Sequence, residues 1–129
     1  SIEVRKELTD EWGRRGVPKG KEYAVLTDII TQAWSGMTTK QYKQHKGLKT
    51  ESLRDNMTNL ELVLNMLAEV TTTEISKEKQ PQTTTQNREI AQQGGEIAGD
   101  TRKKIEAKTG KKIISSTNAK LLSLNKGVA

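Results

Sequence analysis

The chain has no cysteine and no phenylalanine, and its 129 residues include only two prolines. Without cysteine there is no disulfide framework, no thiolate metal site and no cysteine nucleophile, a composition suited to a reducing compartment. Aromatic residues make up 3% of the chain, namely Trp12, Trp34, Tyr23 and Tyr42. Aliphatic side chains must therefore do most of the burying, which favours helices over a sandwich or barrel. Long apolar runs are missing too. The densest, Leu60 to Leu67, is far shorter than the roughly 20 residues that span a bilayer. The chain opens at Ser1 on a charged helical pattern with no apolar signal region, so it is expected to be cytoplasmic, without a membrane, and a piece of something longer.

What is present in excess is positive charge, and its placement matters more than its total. Residues 1–98 balance at 14 basic and 14 acidic side chains, while residues 99–129 hold eight basic and two acidic ones and so carry the entire +6. Arg102, Lys103, Lys104, Lys108, Lys111 and Lys112 crowd one short stretch. Inside the balanced part, Lys40, Lys43, Lys46 and Lys49 recur every third residue with no acid between them. On a helix that spacing draws the lysines out as a slowly turning band.

Apolar periodicity organises the rest. Val4, Leu8 and Trp12 step by four and predict a first helix ending near Gly13 or Gly16. A second helix is expected over about 21–35, with Leu26, Ile30 and Trp34 facing inward and Gly36 as its stop. Thr38 to Gln41 offers a capping box for a short third helix. The strongest local signal is Thr58 with Glu61 three residues on, flanked by Met57 and Leu62 as a hydrophobic staple. From there a central helix over about 58–70 is apolar on so wide an arc that it is expected to be surrounded. The threonine-rich stretch 71–87 predicts a frayed end and a surface loop. A last long helix is expected over about 86–109. On it Ala91, Gly95 and Gly99 fall at four-residue steps, small residues that admit another backbone, although Gly94-Gly95 could equally mark a kink. The expected fold is all-α: a compact domain of about five helices over 1–110, then a basic, partly helical tail over 111–129.

Three motifs mislead. Gly94 to Thr101 has the spacing of a phosphate loop, but Asp100 stands where the lysine belongs and no strand precedes it. Asn56-Met57-Thr58 has the form of a glycosylation acceptor, yet Thr58 is better explained as a cap. His45, the only histidine, sits among lysines with no carboxylate partner that would tune it or share a metal. Neither a catalytic set, a metal site nor a cofactor is expected.

Eight short motifs in order carry a resemblance over about a hundred residues. They are Leu8-Thr9-Asp10-Glu11-Trp12, Glu22 to Thr27, Tyr42-Lys43 with Lys46 to Lys49, Leu53-Arg54-Asp55 with Met57-Thr58, Glu61-Leu62, Glu69 to Thr72, Gly94 to Gly99, and Ile105 to Lys111. Together they resemble the C-terminal part of the DNA-damage-inducible protein D (DinD-like) family. Asn56 stands where the family pattern leads one to expect a histidine, and segment 80–87 departs from an expected glycine-containing loop. The resemblance implies bacterial or prophage origin, expression in the DNA damage (SOS) response, action on DNA or the recombination machinery, and a Bro-type DNA-binding domain before residue 1.

The expected function is therefore that of an accessory module, not an enzyme, that binds single- or double-stranded DNA or a recombinase filament, possible nucleoid association included. Lys40, Lys43, Lys46, Lys49, Arg102, Lys103, Lys108, Lys111 and Lys112 are the expected nucleic-acid contacts, since each phosphate contact adds affinity without base reading. The alternative is a structural module that dimerises a DNA-binding regulator, itself included as a homo-oligomer, through Ala91, Gly95 and Gly99.

Overall fold

The computed structural model describes residues 2–121, the side chain of Ile2 excepted. Five α-helices and one 3₁₀ turn follow in order: α1 (Ile2–Arg14), α2 (Lys21–Ser35), α3 (Thr39–His45), the turn Arg54–Asn56, α4 (Asn59–Lys79) and α5 (Thr84–Thr109). Among the described residues there is no strand, and the fold is all-α. The tail expected over 111–129 falls in part on residues 122–129, which lie outside the described residues.

The starts of α3, α4 and α5 follow the side chains that satisfy their free N–H groups. Thr38, Thr58 and Thr83 each accept a hydrogen bond from the backbone three residues on, while Gln41, Glu61 and Gln86 reach back to the cap nitrogens. Thr58→Ala is expected to cost about 1 kcal/mol of stability by removing one of these caps. Its chemical denaturation midpoint should fall with no change in slope, and an unmoved midpoint would mean that α4 owes its start to packing alone.

The long helices α4 and α5 pack against each other, and α2 and α1 lie against that pair. Leu8 and Trp12 of α1, Leu26, Ile30 and Trp34 of α2, Tyr42, and Leu64 and Ala68 of α4 form the buried centre. The aromatic residues meet edge to face, Trp12 with Tyr23 at 5.2 Å and Trp34 with Tyr42 at 6.0 Å, the arrangement that ring quadrupoles favour.

The expectations for the long helices need correction. α4 does not fray at residue 70 but runs to Lys79. Thr71, Thr72 and Thr73 stay helical because packing overrides their weak propensity: Thr72 and Thr73 are buried, Thr72 beside Gly94 of α5, and each hydroxyl is satisfied by the carbonyl four residues back. The connection to α5 shrinks to residues 80–83. Nor is α4 covered all round: Leu60, Val63 and Val70 are 39%, 58% and 40% exposed. Gly94 and Gly95 do not interrupt α5, which is continuous through them. A Cβ on Gly95 would stand 2.6 Å from Ala33 Cβ, and one on Gly99 2.6 Å from the Ala33 carbonyl oxygen. Ala91, Gly95 and Gly99 are all buried, and the two glycines are where α2 and α5 touch backbone to backbone.

Packing continues past residue 110, where the tail was expected to start. Ile113 is buried in the core. The Ser115 N–H donates to Glu61, Lys46 Nζ to the Thr117 carbonyl at 2.6 Å, and the Ala119 N–H to Asn56 Oδ1 at 2.8 Å. Segment 113–119 is thus strapped across the ends of α3 and α4.

Candidate functional site

The four lysines spaced by three do not form one band. Tyr42 turns inward from α3, and Lys46, four residues on, shares its face. Lys46 is 1% exposed. Its ammonium lies 2.8 Å from Glu61 Oε1 and 5.7 Å from the centre of the Tyr42 ring. It is a buried counter-ion and cannot touch a phosphate. Tyr42 donates its hydroxyl to Glu61, and burial, then this carboxylate, push the phenol well above its ordinary range.

Lys40, Lys43 and Lys49 stay together on the other side. With Lys21 and Arg5 they surround a cleft of about 870 Å³ between α2 and α3. Ala24 and Val25 of α2 and Leu48 after α3 supply its apolar lining. None of Lys21, Lys40 and Lys43 has an ion-pair partner among the described residues. The one carboxylate in the lining, Asp28, accepts the Thr39 N–H at 2.7 Å and so caps the start of α3. Arg5 is tied down by Thr27 at 2.7 Å and Glu69 at 3.3 Å. The positive field in the cleft therefore comes mainly from lysines whose charge is unmatched.

The second basic region sits at the far end of α5. Lys103, Lys104 and Lys108 are exposed and share the outer face of the helix, with Ile105 and Glu106 turned toward the body. Lys111 and Lys112 follow the left-handed Gly110 that ends the helix, and both are exposed. No ion pair engages any of these five among the described residues. Arg102 is different. Its Nε donates to the Trp34 carbonyl at 2.8 Å, closing the C-terminal end of α2, and its Nη1 donates to Glu106 at 2.8 Å. Burial pushes the Glu106 carboxyl up, but the Ile113 N–H, Arg102 and the field of Lys112 outweigh it and hold it below its ordinary value. Arg102 is thus held between the end of α2 and Glu106, unlike the five lysines around it.

The cleft and the α5 end are separate surfaces. α2 meets α5 through Ile30, Ala33 and Trp34, whereas it lines the cleft with Lys21, Ala24, Val25 and Asp28, on the opposite side of a helix with 3.6 residues per turn. Of the residues that matter here, Lys21 and Arg5 escaped the sequence reading because only tertiary packing brings them to α3. The inward turn of Lys46 did leave a signal, its four-residue distance from Tyr42.

These features define an all-helical domain with two separate concentrations of unpaired lysine. The family model of the DinD C-terminal domain matches residues 2–118, and the chain belongs to that family. This membership gives it a DNA-damage-related role. No curated protein and no solved structure matches it. No helix is long and apolar enough to cross a membrane among the described residues.

Proposed function

We propose that the chain is an accessory module of the DNA damage response that binds nucleic acid, free or within a recombination filament, through its basic surfaces, and that it acts by binding rather than catalysis. The observation that carries this reading is the α5 end, where Lys103, Lys104, Lys108, Lys111 and Lys112 stand exposed with no carboxylate in an ion pair with them among the described residues. Charges so placed are solvated and free to displace counter-ions from a phosphate backbone, which supplies affinity without sequence reading. Lys40, Lys43 and Lys49 add a second positive field that speeds encounter with a polyanion.

Dimerisation through Ala91, Gly95 and Gly99 is not supported, because that face is consumed within the chain by α2. Changing the five α5-end lysines to glutamine should weaken binding to a labelled duplex. It should also flatten the dependence of log affinity on log salt by up to about 0.9 units per lost contact. Anisotropy titrations at several salt concentrations read both. A variant with the parent's affinity and slope would reject this surface.

A further inference from the structure

We propose that the cleft between α2 and α3 is a docking site for an acidic segment of a protein partner, one that carries apolar side chains among its carboxylates. This goes beyond the nucleic-acid reading, which rests on the α5 end and stands or falls separately.

The case begins with what the cleft lacks. A groove for single-stranded nucleic acid grips bases on aromatic faces, and no aromatic side chain lines this one. Lys46, which would continue the run between Lys43 and Lys49, points into the core, so the rim offers a duplex fewer phosphate contacts than the lysine spacing suggests. Nor can α3, with seven residues, present a long face to a groove of DNA. What the cleft does offer is concavity and an apolar lining, Ala24, Val25 and Leu48, inside a rim of Lys21, Lys40, Lys43 and Lys49. A phosphate backbone has no apolar group to place on that lining. A peptide of mixed aspartate and leucine does, and its carboxylates meet the rim. The open cleft has a volume of about 870 Å³, room for a few side chains of a bound segment by the roughly 300–1,000 Å³ scale of ligand clefts. Asp28 keeps its charge while it accepts the Thr39 N–H, but the cations of the lining outnumber it. Charge at the rim sets the encounter and orientation, and apolar burial adds residence.

The test uses the full chain and a fluorescein-labelled synthetic peptide in which leucines alternate with pairs of aspartates. It should bind saturably, and a version with serine for leucine should bind at least about tenfold more weakly. The triple variant Lys40→Gln, Lys43→Gln and Lys49→Gln should lose about tenfold or more in affinity. Ala24→Glu, at an exposed position where folding tolerates the change, should weaken binding by placing a carboxylate in the lining. The α5-end lysine variant should bind the peptide like the parent. Absence of peptide binding would overturn the proposal, as would equal binding of the serine version. So would displacement of the peptide by an oligonucleotide whose own binding is lost in the triple variant, which would make the cleft a phosphate surface.

Discussion

Leucine in place of Gly94 is expected to cost about 3 kcal/mol or more, and it should do so at every protein concentration. Gly94 faces α4, where even a single added Cβ would lie 2.7 Å from both Cα and N of Thr72. Those are backbone atoms and cannot rotate away. The two longest helices of the protein must separate, and overpacking of that kind costs about 1–3 kcal/mol for smaller insertions. Alanine at Gly94 is the sharper case, since in an isolated helix it would gain about 1 kcal/mol over glycine. Here the clash should reverse the sign. Gly13 supplies the control: its added Cβ would meet only the Tyr23 hydroxyl at 3.6 Å, so Gly13→Ala in α1 should be neutral or stabilising. Thermal melts of the three variants read the outcome, and a Gly94→Ala protein more stable than the parent would remove close approach as the reason for glycine there.

That contact shows where sequence reading reaches its limit. Periodicity placed the long helices, and the Thr58 cap placed the start of α4, because both depend on residues three or four apart. Thr83 and Gln86 form a capping box as complete as the one at Thr58, but the surrounding threonines mask it and the start of α5 was expected two residues late. The small-residue spacing of Ala91, Gly95 and Gly99 was visible; that Gly94 serves α4 while Gly95 serves α2 was not, since it depends on which helices flank α5. The cleft was half legible. Lys40, Lys43 and Lys49 were found from their spacing by three with no acid between them, whereas Arg5 and Lys21 reach the cleft only through the fold.

Charge balance over residues 1–98 hides a division of labour. Glu11, Glu61 and Glu69 are at most 3% exposed, and each is met by cations. Arg14 and Arg15 serve Glu11, Lys46 serves Glu61, and Arg5 and Arg54 serve Glu69. Burial pushes the Glu11 carboxyl up, but Arg15, the Ser76 hydroxyl and Arg14 outweigh it and leave it below its ordinary value. A core short of aromatic bulk is thus held in part by buried ion pairs, whose value lies in geometry more than in net energy. The cations these glutamates engage are spent on structure. Most of the positive charge left for partners is therefore at the cleft rim and the α5 end.

Among these pairs, Lys46 with Glu61 should respond most strongly to substitution. Both side chains are wholly buried, and removing one partner of such a pair strands the other charge at a cost of about 3–5 kcal/mol. Lys46→Met is expected to fall in that range, although Tyr42 and the Thr58 and Ser115 N–H groups would still donate to Glu61. Glu61→Gln should also destabilise, because the buried ammonium loses its counter-charge and keeps only neutral partners: the amide oxygen, the Thr117 carbonyl and the Tyr42 ring. The double variant should be less damaged than the two single losses added together. No lone charge remains in it, and glutamine can still accept the Thr58 N–H that caps α4. Loss of Lys46 should also release the strap, since its ammonium holds Thr117 and its carbonyl accepts from Asn118 Nδ2. Proteolysis within 113–119 should therefore quicken in Lys46→Met before the helices melt. Denaturant titrations of the double-mutant cycle measure the coupling, and strictly additive losses would show that the two residues contribute independently and that the buried pair is not what joins α3, α4 and the strap.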